Sequence, residues 1–404
     1  MSNGLSWRRL GKVWLAWLSS TLLAGFCAGK ALQAAEISPS STNVSTVLTY
    51  QETDYRVGNW NCTLTAQTTP FKTEPAAATG KTVRGLLTFG SGSSNALAFV
   101  WQRDTGKLYL DLNRNQDLTD DAAGVFSAEA SKSANYQFFK GVHLPLSTAV
   151  GQPAALADLN FWTFSTRTSC SVGLRSFWSG KVTLAGRDWQ VGLIEDAHAS
   201  SLAGGHMLLR PWDEQSQPFS IYDDAANAFP FARQIFVAGQ AYELAVDAPT
   251  AAAKPSLQFT PQSVALGQLK IAGKYIKRLV LADGPYLVLL DHPGEVVSVP
   301  TGSYSQLTAR LENQGMEAYG KSSQTPASRK VSVNAQASAI LNLGGPLTNV
   351  VAVTRQGQDL RLDYQLIGAG GETYQLAGEN RSQPPEFAVF QGVKQIASGA
   401  FEFG

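Results

Sequence analysis

Histidine, cysteine and methionine are scarce: four, three and three copies in 404 residues. None of His143, His198, His206 and His292 lies at zinc-ligand spacing from another, and neither HExxH nor CxxC occurs. Charged residues make up 16% of the chain, against roughly 25% in average proteins. With a net charge of +1 there is no basic stripe to draw nucleic acid or anionic lipid. Long amphipathic helical patterns are almost absent, which excludes helical bundles and doubly wound α/β folds.

What is present begins with an N-terminal address. Arg8, Arg9 and Lys12 precede an apolar run from Val13 to about Ala28, followed by small residues around Ala31, Ala34 and Ala35. This reads as a secretory signal peptide over residues 1–35, because the run is short of the roughly 20 residues a membrane span needs. Its removal takes away Arg8, Arg9, Lys12 and Lys30 and turns the net charge from +1 to −3. The expected location is therefore periplasmic, cell-surface or extracellular, with no stable membrane span after cleavage. Cys62 and Cys170 remain, and an oxidising compartment predicts a disulfide between them. Closing a loop of about 100 residues would stabilise by up to roughly 4.7 kcal/mol in the chain-entropy view.

Short alternating apolar runs bounded by Gly, Asn, Asp and Pro predict a mainly β protein, several antiparallel sandwich-like domains in tandem. VRGLLTF (83–89), ALAFVWQR (96–103) and KLYLDL (107–112) read as successive strands. KVTLAGRDWQVGLI (181–194) and QIFVAGQAYELAV (234–246) read as hairpins, the second reversing at Gly239-Gln240. Two aperiodic polar stretches, 246–256 and 320–329, mark expected boundaries. They divide the chain into an N-terminal β-rich part (36–246), a small module (257–319) and a C-terminal part (329–404). VVSVPTGSY in the small module faintly resembles transthyretin-like sandwiches. Seven strand-like runs in the last part suit an immunoglobulin- or fibronectin-like sandwich.

LDLNRNQDLTDD (110–121) places oxygen-bearing side chains on alternate residues at Asp111, Asn113, Asn115 and Asp117, with Asp120 and Asp121 following. Ca²⁺ takes six to eight hard oxygens, and alternate ligands in a tight loop point at one centre. The motif resembles the D-x-[DN]-x-[DN] calcium loops of exported bacterial proteins. It departs from the EF-hand, because Gln116 stands where that loop needs Gly and Ala122 where it needs Glu. The expected metal ligands are Asp111, Asn113, Asn115, Asp117 and Asp121, holding a structural Ca²⁺. The competing reading is a hairpin loop whose Asp and Asn cap their own backbone through Asx-turns.

No catalytic set stands out. Glu195, Asp196, His198 and His206 in EDAHASSLAGGH (195–206) are the best place for acid–base chemistry, and a polar solvated loop is the simpler account. Ser94 in GSSNA lies between strands, whereas a nucleophile elbow joins a strand to a helix. GAGGET (368–373) reads as a Gly-rich hairpin turn. Trp212 in RPWDEQ (210–215), beside Arg210, Asp213 and Glu214, has the make-up of a carbohydrate contact, although most strand tryptophans are core.

KLYLDLNRNQDLTDD, HMLLRPWDEQSQPF, VVSVPTGSY and GAFEFG together resemble exported multi-domain β-proteins of planctomycete and verrucomicrobial bacteria. That resemblance implies secretion and a β-rich build and brings no assigned activity. The expectation is a non-enzymatic exported β-protein for adhesion, scaffolding or ligand binding, its partner a glycan or a cell-surface protein. The second reading is a protein that binds or hydrolyses glycans.

Overall fold

The computed structural model describes residues 42–76, 81–89, 96–129, 133–146, 153–165, 167–196, 202–221, 226–248, 250, 253–321, 330–357, 359–376 and 385–401. The expected signal peptide, Ser94, His198 and most of the 320–329 stretch lie outside these residues. The fold is mainly β, built of several sheets. Among the described residues the helical pieces are 3-10 turns of three residues each, and no helix is long and apolar enough to cross a membrane.

An eight-stranded antiparallel sheet runs in the order Val125–Ser127, Lys107–Leu110, Ala96–Gln102, Thr82–Thr88, Gly58–Ala66, Arg167–Leu174, Ala155–Phe164, Tyr136–Leu144. Phe99 and Phe161 lie four strands apart in it, which in a flat sheet is about 19 Å. Their ring centroids are 5.3 Å apart, and the Trp101 indole N–H donates to Gln137 at 2.6 Å. The sheet is therefore rolled on itself, its outer strands joined where the Glu129 N–H donates to the Phe138 carbonyl at 3.1 Å. A roll of this size leaves an interior that side chains can fill. Phe99, Trp101, Phe139 and Phe161 fill it. In Tyr136–Leu144 the inward residues change parity, from Gln137 and Phe139 to Val142 and Leu144. A bulge between Phe139 and Val142 absorbs that change, with Gly141 at φ +67°. Cys62 and Cys170 stand opposite each other in this sheet as free thiols, and burial together with its neighbour pushes the Cys170 thiol well up.

The chain turns at Arg175 into a five-stranded sheet, ordered Ala228–Pro230, His206–Pro211, Arg187–Ile194, Ser176–Leu184, Thr49–Glu52. Its three central strands are largely buried on both faces. Phe177, Ile194 and Leu208 face the core of the rolled sheet, while Trp178, Leu193 and Leu209 face a second core.

The second core is closed by a twelve-stranded sheet. Its order is Val44–Val47, Ser256–Gln262, Gln240–Asp247, Gln234–Val237, Leu287–Asp291, Ile276–Ala282, Gly302–Asn313, Met316–Lys321, Thr373–Leu376, Asp359–Ile367, Thr348–Gln356. Val331–Val333 attaches to Gly302–Asn313. Ile235 and Val237 point into the second core. Phe236, Leu279 and Val288 point into a third, shared with the three-stranded sheet Val296–Pro300, Leu266–Ile271, Ala339–Leu341.

The sheets run through the stretches expected as boundaries. Residues 248–255 join two neighbouring strands, with Asp247 opposite Ser256. Strands after residue 329 complete the sheets begun by residues 257–321, because Val331, Val333, Leu341 and Leu366 share one core with Leu269 and Tyr304. Glu386–Gln391 and Lys394–Ala400 pair with each other as a separate hairpin. The hairpin of 234–246 reverses at Ala238-Gly239, one residue before the expected place. Their φ angles of +52° and +79° are those of a type I′ turn.

One charged cluster crosses the layers. Arg278 is 0% exposed. It donates to Asp291 Oδ1 at 2.8 Å and to Glu214 Oε2 at 3.2 Å, while Asp291 Oδ2 receives Arg187 at 2.6 Å. Burial pushes the Glu214 and Asp291 carboxyls up, but the Arg278 charge outweighs it and holds both below the ordinary range. Replacing Arg278 by Met should cost about 3–5 kcal/mol in urea unfolding, because two buried carboxylates lose the fully buried one of their cationic partners and keep Arg187 and Lys277. The two carboxyls are depressed in the fold. Their contribution is therefore complete above the unfolded value of about 4 and is lost as pH falls through the folded values. Melting temperature should hold from pH 7 to 5 and fall below pH 4, and the fall should be shallower in the Arg278→Met variant.

Candidate functional site

The 111–121 loop spans a hairpin whose strands pair through Leu108 and Phe126. It is pinned by Leu118, buried against Phe71 and Val100, and by two backbone hydrogen bonds to Thr73. Asp111, 2% exposed, accepts the N–H of Asn115 at 3.0 Å and of Gln116 at 2.8 Å. Asn113 accepts the Asn115 N–H at 3.1 Å, Asn115 that of Asp117 at 2.6 Å, and Asp121 that of Leu112 at 2.8 Å. Asp117 accepts from the hydroxyl and the N–H of Thr119, which hold its carboxyl below the usual range.

Asn113, Asn115 and Asp117 each accept the N–H two residues on, the Asx-turn pattern, while Asp111 and Asp121 accept N–H groups farther along the loop. Gln116, at φ +65°, takes the left-handed conformation for which an EF-hand uses Gly. Asp120, outside the predicted set, receives the side-chain amides of Asn113 at 3.3 Å and Asn115 at 2.6 Å. Among the described residues no group of three or more His, Cys, Asp or Glu side chains is arranged to hold a metal ion.

Of the acid–base candidates, Glu195, Asp196 and His206 are among the described residues and His198 is not. Burial pushes the Glu195 carboxyl up and the His206 ring down, Asp196 partly offsetting the latter. Neither lines either of the two grooves described below. His143 is exposed and 3.3 Å from Glu52.

The tryptophans separate cleanly. Trp60, Trp101, Trp178 and Trp189 are core, and Trp162 and Trp212 are half-buried. Trp212 forms one wall of a cleft of about 510 Å3. It opens the 3-10 turn Trp212–Glu214, where the strand His206–Pro211 leaves the five-stranded sheet. Its companions in RPWDEQ go elsewhere: Arg210 is wholly buried beneath the cleft, and Glu214 reaches Arg278. Lys181 sits 5.1 Å over the Trp212 ring.

The floor is polar because the sheet's lower face changes character at this end. Arg210 donates to Gln190 at 2.8 Å, and Gln190 to the Ser179 hydroxyl at 2.9 Å. Arg210 also donates to the Gln217 and Gln215 carbonyls at 2.8 and 2.6 Å, fixing the chain that follows Trp212. Gln51, Tyr55 and Gln215 complete the lining, with Glu52 and Asp54 on it. Burial raises the Tyr55 phenol and Arg210 partly offsets this. Asp54 lies 3.2 Å from Arg175. Gln51, Ser179 and Gln190 come from separate strands, and no local motif marks them, whereas Gln215 closes RPWDEQ. Only the aromatic in RPWDEQ signals the cleft in the sequence.

No protein-family model matches the chain, and no curated protein or solved structure gives a significant match.

Proposed function

We propose that this chain is a non-enzymatic exported β-protein that binds carbohydrate in the Trp212 cleft. The observation that carries the reading is an indole wall beside a floor of amides and hydroxyls held in place by buried Arg210. A sugar ring offers an apolar C–H face to stack on an aromatic and hydroxyls at its edge that suit such donors and acceptors. Binding is favoured over hydrolysis because Glu52 and Asp54, the carboxylates of the lining, each have a basic neighbour, His143 and Arg175. Glu195, whose pKa is raised as a general acid requires, lies elsewhere.

Two structural devices belong to the same reading. A Ca²⁺ held by the 111–121 loop would relieve the repulsion among Asp111, Asp117, Asp120 and Asp121. Export would let Cys62 and Cys170 close a bridge, because directly opposed antiparallel residues have Cα atoms about 4.5–5.5 Å apart, within disulfide range.

Calorimetric titration of the purified chain with cellohexaose and xylohexaose should show saturable binding to at least one. Trp212→Ala should weaken it at least tenfold at unchanged melting temperature. Wild-type heats at the dilution baseline for both sugars, or release of reducing ends, would refute the proposal. Millimolar Ca²⁺ should raise the melting temperature by several degrees relative to chelator, and Asp111→Asn should abolish that rise; identical melts with and without Ca²⁺ would remove the metal. Protein purified from an oxidising compartment and unfolded in denaturant should give no thiol reaction at Cys62 or Cys170. Two reactive thiols there would show that no bridge forms.

A further inference from the structure

A second, larger groove of about 950 Å3 opens at the turn end of the third core, well separated in sequence from the Trp212 cleft and independent of it. Three of its lining residues, Tyr275, His292 and Gln314, have left-handed backbones at φ +66°, +45° and +50°. For an aromatic residue this conformation is uncommon and carries a strain cost, which surrounding structure must offset. At Tyr275 that structure is visible. Lys274 and Gly345 exchange two backbone hydrogen bonds of 3.0 and 2.8 Å, and the Tyr275 ring lies so close on Gly345 that an added Cβ would come within 2.6 Å of it. The ring is nevertheless 46% exposed. It is an aromatic surface fixed in place and left open to solvent.

The charges around it are unevenly used. Lys270 pairs with Glu295 at 3.1 Å and Lys277 with Glu312 at 2.5 Å. Lys274 has no ion-pair partner among the described residues. His292 turns Nδ1 to Asp291 at 3.1 Å, and its side chain is 62% exposed. The groove therefore offers one aromatic face, one unspent ammonium and the Gln314 amide.

From this combination we infer that the groove binds an acidic saccharide, a hexuronate unit stacking on Tyr275 with its carboxylate on Lys274. The paired carboxylates of Glu295 and Glu312 oppose a densely charged polyanion such as a nucleic acid, whose phosphates need several free cations. A single free cation beside a flat ring suits one charge per sugar.

The test is calorimetric titration of the full chain with trigalacturonate at low salt, with maltotriose and hexaglutamate as comparison probes. Saturable binding of trigalacturonate is expected, at least tenfold tighter than either comparison probe. Lys274→Ala should weaken it at least tenfold and remove most of its salt dependence. Tyr275→Gly removes the ring while suiting the left-handed backbone, so it should weaken binding at least tenfold at equal or higher melting temperature. Trp212→Ala should leave the affinity within twofold, which keeps this result distinct from success or failure at the first cleft. The inference is overturned by absent binding at millimolar trigalacturonate, or by affinities that ignore both groove variants. It is equally overturned if maltotriose binds as tightly, or if hexaglutamate binds as tightly and with the same sensitivity, which would make the groove a site for acidic peptide.

Discussion

A guanidinium taken fully out of water must keep its counter-charges, and Arg278 keeps two of them from different layers of the molecule. Glu214 comes from the turn that leaves the five-stranded sheet, and Asp291 from a strand of the twelve-stranded sheet. Desolvation makes such a cluster costly to assemble and more costly to break. It fixes one relative placement of two sheets that apolar packing alone would allow to slide, since hydrophobic contact has no direction. Both grooves depend on it. Glu214 ends the turn that Trp212 begins, and Lys277, next along the strand from Arg278, holds Glu312 at the rim of the larger groove.

The strands were readable because strand alternation is local. The runs at 83–89, 96–103 and 107–112 all form where expected, as does the turn at GAGGET, where the Gly371 N–H meets the Gly368 carbonyl. Their grouping was not readable. A polar stretch such as 248–255 looks alike whether it separates domains or merely turns a hairpin, and only the register of Asp247 with Ser256 tells the two apart. Likewise the strands after 329 have strand-like sequences, but which sheet each joins is decided by long-range packing of Val331, Leu341 and Tyr374.

The sites divide in the same way. The oxygens of the 111–121 loop could be named because they are close in sequence, and the Asx-turns of its competing reading form at Asn113, Asn115 and Asp117; what the sequence could not show is that Asp120 faces the asparagines. Of the lining of the Trp212 cleft, RPWDEQ supplies Trp212 and Gln215. Gln51, Ser179 and Gln190 meet there through the pairing of Thr49–Glu52 and Arg187–Ile194 with Ser176–Leu184. Glu214, two residues beyond that tryptophan and read with it as part of a carbohydrate contact, is instead buried against Arg278.

The first described strand, Val44–Val47, lies against Ser256–Gln262, and the next, Thr49–Glu52, against Ser176–Leu184. Both strands therefore have partners far along the chain. A polypeptide emerging N-terminus first carries Thr49–Glu52 unpaired until Ser176–Leu184 appears, and Val44–Val47 unpaired until Ser256–Gln262 appears. The five-stranded sheet thus waits for the arrival of residue 230 and the twelve-stranded sheet for that of residue 376, while the rolled sheet, whose strands lie between residues 58 and 174, can form before either. A chain built this way stays incomplete through most of its synthesis.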